Sequence, residues 1–374
     1  MEKQKRIKYF SYYGCNNSLY QRDNSPAADS KIDYIIDVLN QIGYGVDLIS
    51  RAPSACAHYL HGSVEQRGDN TLRYFASFGK TKLLFRIFNK WFMDLQFFLW
   101  CLFHLQYGEQ VIVYHSLGYD VAFIKLCKIK KIRIVGEIEE IYQDVSKQRK
   151  SLSRNEYKFI NLCSKYIFPT TLLDAKLNTN HKPSAIVHGV YSVENIVEDK
   201  FNDGKIHIVY GGTLDPNKGG AAAAAAEFLP PNYHIHICGF GDATQIKRLV
   251  TEVNERSEAT VTFEGELKGD AYKHFIQKCH IGLSTQNPDA AFNATSFPSK
   301  ILVYLSNGLK VVSIRIPAIE QSAVVDSLFF YDEQKAEEIA RAIESACNVK
   351  IKGLNPLFKL DNEFKQALFN LLSK

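Results

Sequence analysis

Apolar residues recur along this chain with two alternating periods, and the alternation predicts its elements. "IKYFSYYG" and "GVDLIS" read as strands on either side of "SKIDYIIDVLNQIG", whose apolar positions fall at helical spacing before a glycine. "EQVIVYHS", "IRIVGEIEE", "YIFPT" and "SAIVHGVY" continue as strands, with "YDVAFIKLCKIKK" and "RNEYKFINLCSKY" as helices among them. The second half repeats the theme. Strands are expected in "KIHIVYGG", "YHIHICGFGD", "ATVTFEGEL", "HIGLST" and "LKVVSIR", and helices in "AAAAAAEFLP", "ATQIKRLVTEVNERS", "GDAYKHFIQKC", "FPSKILVYLSNG" and Asp332–Cys347. Strand–helix alternation implies parallel sheets covered by helices. The expected fold class is therefore α/β, with two Rossmann-like doubly wound domains facing a cleft.

At 374 residues the chain suits two domains of roughly 150 residues each. Boundaries are expected at 1–192 and 193–355, with a polar linker near Val190–Asn202 and a last helix over 356–374 packing back on the first domain. The most apolar window, "WFMDLQFFLWCLFHL" (Trp91–Leu105), contains Asp94 and His104 and falls short of the roughly 20 residues a spanning helix needs. A buried helix is the expectation, and a helix lying in a membrane surface the alternative.

Charge adds an asymmetry. Residues 1–192 carry 26 Lys/Arg against 17 Asp/Glu, and the remainder 19 against 23. A basic first half suits an anionic partner such as a phospholipid surface or a pyrophosphate-linked acceptor, and a merely solvated basic face is the alternative. The basic residues are dispersed and no recognition motif accompanies them, which argues against nucleic acid. Eight cysteines lie far apart without a C-x-x-C pair, so free thiols in a reducing compartment are expected, and no metal. The first residues pass from charges into a strand without the apolar core of a signal peptide. A cytoplasmic location follows as the expectation, extended to the inner face of the cytoplasmic membrane.

The stretch with most chemistry in it is "KIHIVYGGTLDPNKGG" (Lys205–Gly220): a buried strand running into two glycines, a polar loop, one lysine and a helix start. A loop of this kind after a parallel strand suits a phosphate. A tight turn with a solvated lysine is the other reading. "GFGDATQ" lacks the third glycine of a dinucleotide fingerprint, and no G-x-x-x-x-G-K-[ST] is present.

The ordered set "VYGGTLDPNKGG", "ICGFGD", "VTFEGEL" and "FPSKILVYLSNGLKVVS", with weaker likeness in "VIVYHS" and "VGEIEEIYQDV", resembles the retaining glycosyltransferases of the GT-B fold. It is most similar to their large family four, among bacterial enzymes that build surface polysaccharides. The resemblance implies transfer of a hexose from a nucleotide sugar, most often a UDP-sugar, to a glycan or polyprenyl-linked acceptor, with no cofactor and no metal. It places Gly211, Gly212 and Thr213 against the donor diphosphate and gives Lys218 the role of neutralising it, with Lys300 and Ser299 supplying a second charge and donors. Thr213 stands where the family usually has arginine. Gly265, Glu266 and Leu267 match the base-binding turn, while Gly239 and Gly241 shape the site. His115 would lie under the sugar, and Glu137, Glu139 and Glu140 would face the acceptor, with strand alternation putting the first two on one side. The loop from Asn24 to Lys31 matches the acceptor-side loop in position alone.

One departure concerns the donor sugar. The family's two glutamates, eight positions apart, correspond here to Thr295 and Val303, neither a carboxylate. Asn293, Thr295 and Ser296 offer hydrogen bonds in their place, or else simply cap the next helix. A nucleotide-sugar 2-epimerase and a non-catalytic sugar-nucleotide-binding protein stay open as alternatives.

Overall fold

The computed structural model describes residues 5–15, 21–23, 25–79, 83–115, 120–142, 150–195, 199–349 and 355–373. The chain divides into two units, Met1–Val187 with Glu363–Lys374, and His188–Asn362.

In the first unit, β1 (Lys5–Ser11), β2 (Tyr44–Ser50), β3 (Ser63–Arg67), β4 (Asn70–Tyr74), β5 (Gln110–Tyr114), β6 (Arg133–Glu137), β7 (Lys165–Phe168) and β8 (Ser184–Ile186) form one sheet in the order β3-β4-β2-β1-β5-β6-β7-β8. Every pairing is parallel except the β3–β4 hairpin. Around it lie α1 (Pro26–Gln41), α2 (Leu83–His104), α3 (Val121–Ile129), α4 (Lys150–Leu162) and α5 (Thr171–Leu177). Helices on both faces explain why β2 is buried almost throughout rather than alternately. The hairpin departs from expectation: its strands are short, polar and at the sheet edge, so they carry little apolar pattern.

The second unit holds β9 (Ile206–Leu214), β10 (Tyr233–Gly241), β11 (Thr260–Gly265), β12 (Ile281–Ser284), β13 (Lys310–Ile314) and β14 (Leu328–Tyr331), all parallel, in the order β11-β10-β9-β12-β13-β14. Its helices are α6 (Ala221–Ala224), α7 (Ala243–Asn254), α8 (Gly269–Lys278), α9 (Lys300–Ser306), α10 (Pro317–Glu320) and α11 (Ala336–Cys347). The alanine run forms only a short helix that tightens into a 3-10 turn, and Ala222, Ala223, Ala225 and Ala226 are fully buried. Methyl groups are what fit there.

The last helix, α12 (Asn355–Ser373), ends in the first unit, where Phe364 stacks on Tyr34 and the carbonyl of Leu371 accepts from Lys165 Nζ at 2.7 Å.

The Trp91–Leu105 window corrects an expectation. α2 buries Met93, Phe97 and Cys101, but Ile87, Trp91 and Phe103 are exposed at 63, 61 and 77%. No helix among the described residues is long and apolar enough to cross a membrane.

Candidate active site

In a doubly wound sheet, ligands bind outside the carboxyl ends of the strands where the order reverses. In the second unit that point lies between β9 and β12. Both strands end there in the residues of interest. β9 ends in Gly211–Leu214 and passes through Asp215 into a π-helical turn over Pro216–Gly220 that carries Lys218. Beyond β12, the hydroxyl of Thr285 donates to the Lys218 carbonyl at 2.7 Å, tying the two loops together.

The glycines are required by crowding. A Cβ at Gly212, whose φ is 149°, would stand 2.9 Å from Lys300 Nζ and 3.0 Å from Tyr210 Oη. A Cβ at Gly239 would fall 1.7 Å from the Gly212 carbonyl oxygen. "GFG" therefore lets β10 approach β9 closely, a shaping role. The Gly211 amide donates to Tyr304 Oη at 2.8 Å and is thereby fixed.

Two lysines lie near this strand end, Lys300 beside the Gly212 backbone and Lys218 on the turn that follows β9. Lys218 Nζ lies 3.5 Å from Asp215 Oδ2, and Lys300 Nζ stands over the Tyr210 ring, 4.1 Å from its centroid. Desolvation, reinforced by the charge of Lys218, pushes the Lys300 ammonium down to about 7. Asp215 acts in the other direction without restoring the ordinary value. The turn after β9 supplies one cation and the start of α9 the other, and two cations brought together with little negative charge suit an anion.

The other residues expected on the donor side are more scattered in role. Thr213 accepts the Tyr210 hydroxyl through its carbonyl at 2.9 Å. Gly265 ends edge strand β11 with φ 77°, Glu266 pairs with Lys268 at 3.1 Å, and Leu267 is half-buried. Asn293 is buried and bonds the Asn287 carbonyl, and Thr295 is buried as well. Ser296 Oγ is buried and has no hydrogen-bond partner among the described residues. Ser299 is exposed at the start of α9 and makes no capping bond with its side chain. Val303 is half-buried within α9. Gln286 was missed from sequence, although it is buried at the switch point with an unbonded Nε2 among the described residues. The signal was there in "HIGLSTQN", whose polar residues follow directly on a buried strand.

In the first unit the expected residues lie in more enclosed settings. His115 is fully buried, its Nε2 3.1 Å from Glu156 Oε1 and its ring stacked on Tyr142 at 4.6 Å. It faces the interior of its own unit. Glu137 is also fully buried and accepts the Tyr9 hydroxyl, and burial drives its carboxyl well above the carboxylate range. The strand ends at Glu137, so strict alternation does not extend to its neighbours. Glu139 pairs with Lys31 at 2.7 Å, and Glu140 is half-buried with its pKa raised by burial. Asn24 lies outside the described residues.

Among the described residues one group has metal-ligating composition: His234, His236 and Glu264 place ligand atoms within 4.8 Å of one another. The Thr262 hydroxyl bonds all three, so protein atoms already close this network.

No family model matches the chain, and none of the curated proteins matches it in sequence. Solved structures do resemble it in fold. An α,α-trehalose 6-phosphate synthase from Burkholderia multivorans is 10% identical with a TM-score of 0.62, covering 98% of this chain and 93% of its own. Anabaena HepE, solved with UDP and glucose, is 11% identical at 0.61 and covers 100% of both chains. The catalytic domain of Arabidopsis thaliana starch synthase IV, bound to ADP and acarbose, is 9% identical at 0.60, covering 100% of this chain and 96% of its own. The shared feature is architectural: two parallel-sheet α/β units in one chain, the GT-B fold.

Proposed function

We propose that the chain is a hexosyltransferase whose donor, a nucleotide sugar of the UDP type, lays its diphosphate on Gly211–Gly220. The observation that carries this reading is Lys300 Nζ beside the Gly212 backbone at the switch point, within reach of the charge of Lys218 on the loop that follows β9. The UDP bound by HepE and the ADP bound by starch synthase IV support a nucleotide-linked donor.

As the bond from the anomeric carbon to the phosphate oxygen breaks, negative charge grows on the leaving diphosphate. Lys218 and Lys300 act most where that charge is greatest, in the transition state. Retention follows when a leaving phosphate oxygen takes the acceptor hydroxyl's proton while that hydroxyl's oxygen bonds the anomeric carbon from the same face. Buried polar groups at Asn293, Thr295, Ser296 and Gln286 stand in for the absent carboxylates at the sugar. The acceptor is a glycan or lipid-linked glycan of surface polysaccharide synthesis, and Glu140 is the acidic group left for it, since Glu137 and Glu139 are engaged.

The test is nucleoside diphosphate release from a panel of UDP-, ADP- and GDP-hexoses, with and without glycan acceptors. Acceptor-dependent release that falls about a hundredfold in Lys218→Ala is expected, as for the loss of one charge-stabilising group. Conversion of the donor sugar without acceptor would make the chain an epimerase. Nucleotide binding with no turnover would make it a non-catalytic binder.

A further inference from the structure

We propose that the outward face of α2 docks on an anionic phospholipid surface. Ile87, Trp91, Leu95, Leu99 and Phe103 recur at every fourth position, so they form one stripe on the side opposite Met93, Phe97 and Cys101. All five are exposed. A contiguous apolar face of this kind, with large aromatic members, marks an interaction surface.

Charge selects the occupant. From Lys80 to Arg133 the chain has nine Lys/Arg and three Asp/Glu. Each of the three acids is engaged within the unit: Asp94 by Arg51 and by Lys90 of the same helix, Asp120 by Arg51, and Glu109 by Lys8, so among the described residues only Lys90 of the nine cations is paired with one of them. The basic end of α3 is held against the end of α2, because Lys130 Nζ donates to the carbonyls of Leu102 and, at 2.6 Å, Leu105. Lys128, Ile129 and Lys131 are exposed there, and Lys131 stands over the Tyr107 ring. An apolar stripe with aromatic residues and an uncompensated basic flank fits the headgroup and acyl boundary of an anionic bilayer, where the two attractions add. A second copy of this chain would bring its own cations to the same place. The surface serves the lipid-linked acceptor of the proposed function, but its evidence is independent of the donor site.

The experiment uses the full chain without nucleotide. Its only tryptophans, Trp91 and Trp100, both lie on α2, so intrinsic emission reports on this helix. With vesicles of phosphatidylcholine and phosphatidylglycerol at low salt, the protein should co-sediment and its emission move to the blue, with both effects weaker on pure phosphatidylcholine. Leu95→Glu/Phe103→Glu keeps both tryptophans and should lose both effects while retaining its thermal transition and its nucleotide binding. Should that variant not fold, Lys128→Glu/Lys131→Glu should weaken binding and flatten its salt dependence. Wild type left in the supernatant with unchanged emission, or a double variant that binds as wild type does, would overturn the proposal. Self-association abolished by Leu95→Glu/Phe103→Glu, without vesicle binding, would overturn it in favour of a second copy.

Discussion

Lys300 is a residue whose setting works against stability and for binding. Burial and the nearby charge of Lys218 lower its pKa to about 7 in the folded chain, below the ordinary value of 10.5. Between these values the unfolded chain holds a proton that the folded chain has released, so this site's contribution to stability rises with pH across that window. Below about 7 both states are protonated and the cost of the half-buried charge is felt in full. Lys300→Met, which keeps most of the stem over Tyr210, should therefore raise the melting temperature of the free protein near neutral pH and flatten its rise toward alkaline pH. A drop in melting temperature would show that the ammonium is compensated. The lysine was legible in "FPSK", but not its setting, because only the folded chain brings Tyr210 and Lys218 to it. His115 is the opposite case: legible as a residue at a strand end, while its burial against Tyr142 and Glu156 depends on packing from distant segments.

Among elements, the close parallel pairing of β9 and β10 sets the shape of the loop after β9. Since a Cβ at Gly239 would meet the Gly212 carbonyl at 1.7 Å, Gly239→Ala must push the two strand ends apart. The expected cost is about 2–4 kcal/mol of unfolding free energy in denaturant titration, with weakened nucleotide binding. A change below about 0.5 kcal/mol, the scale of an ordinary surface substitution, would contradict the close approach. Most buried strands were legible because parallel sheets covered on both faces leave continuous apolar runs. The β3–β4 hairpin and β14 were not, being short edge elements with weak patterns. α2 misled for a different reason. A helix apolar on nearly every side reads as buried from sequence, and only the fold shows that one side is exposed among the described residues.

At the scale of the whole molecule, two doubly wound units were readable from alternation alone, and the order of glycine and lysine motifs carried the likeness to the GT-B fold that solved structures share. The sugar was not readable, because Thr295 and Val303 stand where the resemblance predicts carboxylates. The proposed transfer requires a diphosphate held by Lys218 and Lys300. The most direct test is calorimetric titration of UDP into wild type, Lys218→Ala and Lys300→Met, at about pH 6 and about pH 8, on either side of the Lys300 midpoint. Wild type should bind more tightly at the lower pH and take up protons near neutrality as the diphosphate restores the Lys300 charge, while both variants lose affinity and Lys300→Met loses the pH dependence. Absence of binding in wild type by UDP, ADP and GDP at millimolar concentration, or equal affinity in all three proteins, would contradict the proposal.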